Sequence, residues 1–317
     1  MTKKTIQFFV KLIVVAVILF VFSFVVVMPQ YGGNYQASMV DKTNRLQSIE
    51  GPKIVLLGNS NLAFGMNSER LSQLTGMPVV NMGLHGGVGN AFNESVAKLN
   101  VCEGDIYIIV HDNWSDNDTI KNPELAWITM ENHPQLLRLI RWKDIPSLAK
   151  AFPTYLRKCV HMWGTQTGNA EQTNAYRRSA FNEYGDNIYP RPQTEGEIEL
   201  EKVTINPVSD VAAKRVKKLR AYLEARGATL YVAGYPICVS DKTPTEAEYD
   251  AFEADLKQKL GHTDAHPIVI SHYNDYRYDL SYFYDSYLHL TDAGIILRTD
   301  QLYQDITNVQ PQMAGSR

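Results

Sequence analysis

Four short stretches of this chain hold residue types that could do chemistry together: a serine at a turn, a glycine-rich turn, a His-Asp-Asn cluster and an aspartate–histidine pair. Ser60 stands in Leu57-Gly58-Asn59-Ser60-Asn61, directly after a short apolar run. A hydroxyl at a tight strand-to-helix turn sits at the carboxyl edge of a sheet, where backbone amides and a helix N-terminus can stabilise an oxyanion. A lone serine in such a turn can equally do no more than cap the next helix, as can Asn67. The second stretch, Asn81-Met82-Gly83-Leu84-His85-Gly86-Gly87-Val88-Gly89, lets backbone approach a ligand closely or presents exposed N–H donors. Its glycine spacing is not a dinucleotide fingerprint, and it has no P-loop lysine. His85 within it either faces the same rim and touches substrate or caps the glycine turn. Val110-His111-Asp112-Asn113 ends a third apolar run. Near the C-terminus, Tyr284-Asp285-Ser286-Tyr287-Leu288-His289-Leu290 holds a carboxylate and an imidazole in one loop. A serine nucleophile needs that pair, the imidazole as base and the carboxylate to fix its tautomer.

The elements that must position these residues alternate. Residues 54–57, 79–82, 106–110, 229–233 and 268–270 are short apolar runs bounded by Gly, Pro or Asp, and they read as buried parallel strands. Helical patterns lie between them at 68–75, 91–99, 209–225 and 244–260, and a last helix is expected from Thr291 to about Gln301. Thr243-Pro244-Thr245-Glu246 suggests that the fourth of these opens with a Thr cap, Pro at the first helical position and a capping box. Such alternation predicts a doubly wound parallel sheet, with ligands outside the carboxyl ends of its strands. Residues 114–207 interrupt the pattern and hold all four tryptophans. They are expected to form a mainly helical insertion after the third strand, serving either as a lid over the strand ends or as a packing appendage.

The first thirty residues differ from everything after them. Residues 6–28 are almost wholly apolar and long enough to cross a bilayer as a helix. Lys3, Lys4 and Lys11 precede or enter the run, and the next charge is Asp41, which predicts a cytoplasmic N-terminus and an extracytoplasmic remainder. No small-x-small pattern follows the run, so an uncleaved anchor is expected rather than a signal peptide. The expected organisation is a tip and anchor over 1–30, a tether over 31–50 and one α/β domain over 51–317. Removing the three lysines from 31 basic against 34 acidic side chains leaves 28 against 34, a charge of −6. That balance argues against a nucleic-acid partner. A chain 44% apolar and 21% charged is neither disordered nor a multi-pass membrane protein. Cys102, Cys159 and Cys238 are far apart, so neither a structural zinc site nor a disulfide framework is indicated.

With these motifs in order, the chain resembles the SGNH (GDSL-like) hydrolase superfamily. Gly58-Asn59-Ser60 looks like its nucleophile block, with Asn where Asp is usual. Gly83 matches its oxyanion glycine, Asn113 lies where its third-block Asn is expected, and Asp285 and His289 look like its last block. The pattern departs in two places: Asp285 precedes His289 by four residues instead of three, and the third block reads His111-Asp112-Asn113-Trp114. The resemblance implies a three-layer α/β/α fold of the SGNH-hydrolase or flavodoxin-like kind. It implies catalysis by Ser60, His289 and Asp285, with Gly83, Asn113 and His85 around the oxyanion and substrate, and no metal or other cofactor. The anchored form is similar to membrane-anchored SGNH-like proteins that accompany membrane-bound O-acyltransferases in cell-surface polysaccharide modification. The implied activity is therefore a serine esterase or O-acyltransferase acting on a cell-surface glycan. The alternative is a non-catalytic scaffold or glycan-binding partner of such an acyltransferase.

Other features have plain readings beside functional ones. His262 and His266 have helical zinc spacing but lie where a helix gives way to a strand. The basic run Lys214, Arg215, Lys217, Lys218 and Arg220 reads as a solvated helix face or a site for an anionic glycan. Six tyrosines between 273 and 287 suit sugar stacking or a packed loop. Three glycosylation sequons, at Asn93, Asn113 and Asn117, are read as chance matches.

Overall fold

The computed structural model describes residues 2–115, 119–131, 133–165, 174–196, 198 and 202–313. Helix α1 (Lys3–Phe22) runs on through a π-turn to Val27, and together they are long and apolar enough to cross a membrane. The stretch expected as a tether contains helix α2 (Ser38–Ser48), with Met39, Lys42 and Leu46 buried. Its polar look hid this packing: Lys42 Nζ donates to the Asn81 and Gly185 carbonyls, and burial pushes its pKa down to about 7.

Strand β1 (Ile54–Gly58) leads into a single helical turn, α3 (Ser60–Ala63), then α4 (Ser68–Thr75) and β2 (Val79–Asn81). Helix α5 (Asn90–Ser95) and a 3₁₀ turn over 96–99 precede β3 (Ile106–Val110). Helices α6 (Pro123–Glu131) and α7 (Ile145–Thr165) follow, then α8 (Asp210–Glu224) and β4 (Thr229–Val232). The last elements are β5 (Ile237–Cys238), α9 (Glu246–Leu260), β6 (Arg277–Tyr278) and α10 (Asp292–Val309).

The fold is mixed α/β around a four-stranded parallel sheet of order β2-β1-β3-β4. Every residue of β1, β2 and β3 is buried, which is why these strands read as continuous apolar runs rather than alternating ones. The run at 268–270 joins β4 through one parallel bridge, Val232 to Val269. β5 and β6 form a separate two-stranded parallel pair too short to leave a periodic signal.

Local chemistry sets the helix ends. Asn67 Oδ1 accepts the Arg70 amide, and Gly76 closes α4 at φ 69°. The capping box of α9 is Thr245 with Glu248, two residues beyond the expected start, so Pro244 precedes the cap. Thr291 caps α10 as expected, but the helix runs on to Val309 because Leu302 and Ile306 pack in the core. Buried Asp305, which receives the Tyr276 and Ser271 hydroxyls, masked that apolar face in the sequence.

Packing decides between several readings left open by the sequence. Tyr273 and Tyr276 are fully buried, and Tyr278 and Tyr284 nearly so, leaving Tyr287 as an exposed member of that cluster. Arg215 leaves the supposed solvated face to pair with buried Glu94 at 2.7 Å. The His262 Nδ1 accepts the Ile268 and Val269 amides, holding the turn into the strand. All three cysteines are free. Asn117 lies outside the described residues.

Candidate active site

After β2 the chain crosses back over β1 to form β3, so the connections from the neighbouring strands β1 and β3 lead toward opposite edges of the sheet. In parallel sheets ligands sit at this switch point. Gly58 pairs with Val110 there, and a Cβ on Gly58 would lie 2.5 Å from the Val110 carbonyl oxygen. Asn59 follows and braces the two strand ends. Its Oδ1 accepts from the Asn61 amide and side chain at 3.1 and 2.7 Å, and its Nδ2 donates to Asp112 Oδ1 at 2.6 Å. An aspartate at 59 would face the Asp112 carboxylate without a proton to give, which supplies a physical reason for Asn in this chain.

Ser60 is the first residue of α3. The helix offers no acceptor to the Ser60 amide. With four residues α3 adds little dipole, and its Asn61, Leu62 and Ala63 amides are already bonded to Asn59, which leaves the Ser60 amide. Gly83 presses on this turn, since a Cβ there would stand 2.4 Å from Leu62 Cβ and 2.8 Å from the Asn59 carbonyl. Its own amide donates to Asn81 Oδ1 at 2.9 Å.

The four-residue spacing of Asp285 and His289 is absorbed by a closed loop. Phe283 and Leu290 pair antiparallel, and the Tyr284 amide donates to the His289 carbonyl at 2.9 Å. Inside, Asp285 Oδ1 meets His289 Nδ1 at 2.7 Å. The Tyr176 hydroxyl donates to Asp285 Oδ2 at 2.6 Å and lies 3.5 Å from His289 Nδ1. Burial opposes ionisation of Asp285, but His289 and Tyr176 outweigh it and hold the carboxyl below its ordinary range. Burial, then Asp285, raises the Tyr176 phenol pKa. With the carboxylate on Nδ1, the proton stays there and Nε2 is the basic nitrogen.

Phe64 joins the two halves. It closes the Ser60 turn by donating its amide to the Ser60 carbonyl at 2.9 Å, and its ring stacks on His289 with centroids 4.3 Å apart. Leu290 donates to the Phe64 carbonyl at 3.2 Å. Arg191 bonds the Leu290 carbonyl and lies 5.1 Å over the Phe64 ring. The histidine loop is thus fixed against the serine turn. Among the described residues, Ser60 Oγ makes no hydrogen bond.

Asn113 Oδ1 accepts the Ser115 amide at 2.8 Å, which leaves its Nδ2 hydrogens for a ligand. Asp112, Asn113, Tyr235, Tyr287 and Leu288 line a cleft beside the pair, though neither Ser60 nor His289 reaches its wall. Of the two roles weighed for His85, the cap is the one seen. Its Nδ1 accepts the Gly87 amide at 2.9 Å, capping the glycine turn, and burial, then repulsion from His289, lowers its pKa.

Tyr176, Arg191, Phe64 and the Asn59–Asp112 brace were not found from sequence. Only Phe64 had a signal, its place one turn after Ser60. No family model, curated protein or solved structure significantly matches this chain.

Proposed function

We propose that this chain is a membrane-anchored serine esterase or O-acyltransferase with an SGNH-like, three-layer doubly wound domain. The N-terminus is cytoplasmic, by the three lysines before and within the apolar run, and the domain acts on cell-surface glycan outside. Residues 114–207 are read as an insertion whose Tyr176 completes the site. The observation that carries the reading is the Asp285–His289 pair at 2.7 Å, stacked on Phe64 of the Ser60 turn at the sheet's switch point.

The chemistry follows from the roles. Ser60 Oγ attacks an ester carbonyl carbon while His289 Nε2 takes its proton. Asp285 stabilises the imidazolium, helped by Tyr176. The Ser60 amide and Asn113 Nδ2 receive the oxyanion, and Gly83 adds its amide only by releasing Asn81 Oδ1. Collapse returns the proton to the leaving alkoxide and leaves acyl-Ser60. Water or a sugar hydroxyl then repeats the cycle in reverse, and access of water decides between hydrolysis and transfer.

The test is p-nitrophenyl acetate with the full-length protein in detergent. An acetyl group carried on Ser60, absent in Ser60→Ala, supports the reading. Equal release by both proteins contradicts it.

A second reading, a non-catalytic partner of a membrane-bound O-acyltransferase, is favoured by the unbonded Ser60 Oγ and the engaged Gly83 amide. It expects glycan binding that Ser60→Ala leaves unchanged, with no turnover.

A further inference from the structure

We propose that the domain is seated in the lipid leaflet from which α1 emerges, with one face of α7 and Trp142 lying among the headgroups and upper acyl chains. The inference rests on α1 crossing the membrane and not on acyl transfer.

Depth along α1 is the first argument. Counted from Ile6, where the apolar run begins, Phe20 lies roughly 21 Å along at 1.5 Å per residue, inside a hydrocarbon core about 30 Å thick. Tilting the helix only leaves Phe20 deeper. Yet Phe20 packs on Trp127 of α6 and Phe152 of α7, with ring centroids 6.4 and 5.4 Å apart. Phe24 meets the same Trp127 at 6.5 Å. Those side chains share the depth of the residues they touch, so the α6–α7 pair dips below the headgroups instead of standing clear of them. Being helical, it satisfies its own backbone there.

The surface of α7 is the second argument. Ile145, Ala149, Phe152, Leu156, Val160 and Trp163 follow one another at steps of three or four and form a single stripe. It lies beside the face that buries Leu148, Tyr155 and Cys159 in the protein. Ile145, Val160 and Trp163 are 41, 50 and 49% exposed, and Trp142, just before the helix, is 89% exposed. A continuous apolar stripe of this kind is unusual on a surface that only water meets. Its near end is a groove walled by Trp142, Leu137 and Phe20, so the stripe continues directly from the membrane-crossing helix. Lys150 and Arg157 follow one edge of the stripe by helical spacing. Tryptophan with basic residues bordering an apolar helix face is the composition of an interfacial helix.

The test is tryptophan fluorescence of the full-length protein reconstituted in phosphatidylcholine vesicles whose acyl chains are brominated near the headgroup end. Strong quenching is expected, clearly reduced in a Trp142→Phe/Trp163→Phe double variant that keeps the apolar surface and retains Trp127. Two results overturn the proposal. One is a double variant quenched as strongly as the wild type. The other is quenching of Trp142 and Trp163 by aqueous iodide instead of lipid, as a face kept for a soluble partner would show.

Discussion

Two histidine–carboxylate pairs stand at the same end of the sheet in opposite surroundings. His111, just after β3, bonds Glu94 at 2.9 Å, with the two side chains 0 and 3% exposed. His289 bonds Asp285 at 2.7 Å, with the side chains 10 and 20% exposed. Distance does not distinguish them. What differs is the second partner of the carboxylate. Arg215 holds both Glu94 oxygens, at 2.7 and 2.9 Å, so that charge is already balanced and the pair is a buried brace. Asp285 has a neutral tyrosine hydroxyl instead, so its charge remains free to stabilise an imidazolium. His111 Nδ1 is buried without a partner, whereas His289 Nε2 lies on a ring stacked against the serine turn. A short His–carboxylate contact is therefore no sign of catalysis by itself; charge balance and access are what set the two pairs apart.

Substitutions should separate the two pairs by kind of effect. The largest is expected at the more accessible pair: Ser60→Ala or His289→Ala lowers ester turnover by about 10⁴-fold or more, while the thermal midpoint moves little. An equal loss of turnover on changing His111 would break the distinction. Next comes Glu94→Ala, which leaves Arg215 and His111 buried without their partner. It is expected to cost about 3–5 kcal/mol in denaturant unfolding, with Ser60 chemistry retained in the folded fraction.

A smaller effect concerns pH. The folded Asp285 carboxyl sits below its ordinary range, so the unfolded chain binds more protons there and stability rises with pH through that window. The stabilisation is fully present above the unfolded pKa of about 3.9 and is lost as pH falls through the folded value. Unfolding midpoints of wild type and Asp285→Asn, taken at falling pH, should converge below about pH 4. Tyr176→Phe removes a donor to a largely buried carboxylate, and roughly tenfold slower turnover is expected, with the acid limb of the pH–rate profile moved upward. The least effect is expected from His85→Ala: about 1 kcal/mol for the lost cap and turnover within a few-fold of wild type. A much larger loss of turnover would make His85 a substrate contact.

How much of this could be read in the sequence follows the range of each interaction. The strands were legible because burial on both faces leaves apolar runs, and α4 and α10 announced their starts through Asn67 and Thr291. The place of Ser60 at a strand end and the nearness of Asp285 to His289 were legible because each stands beside an element end. Contacts made across long stretches of chain left no local mark. Tyr176 reaches Asp285 from 109 residues away, and Arg215 reaches Glu94 from 121. Polar residues with buried partners misled in the same way: Lys42 made α2 look like a tether, and Arg215 made α8 look solvated. The tyrosines near 273–287 could be read as a sugar platform or as a packed loop because buried hydroxyls, such as that of Tyr276 on Asp305, cannot be told from exposed ones in a sequence.

Whether the Asp285–His289 pair activates Ser60 is decided by covalent capture. The full-length protein is treated with a fluorophosphonate probe in detergent, and the modified peptide is identified by mass spectrometry. The expected result is one adduct on Ser60, lost in Ser60→Ala, strongly slowed in His289→Gln and retained in folded Arg215→Gln. No adduct under conditions that label a control esterase, or an adduct indifferent to His289, would contradict it.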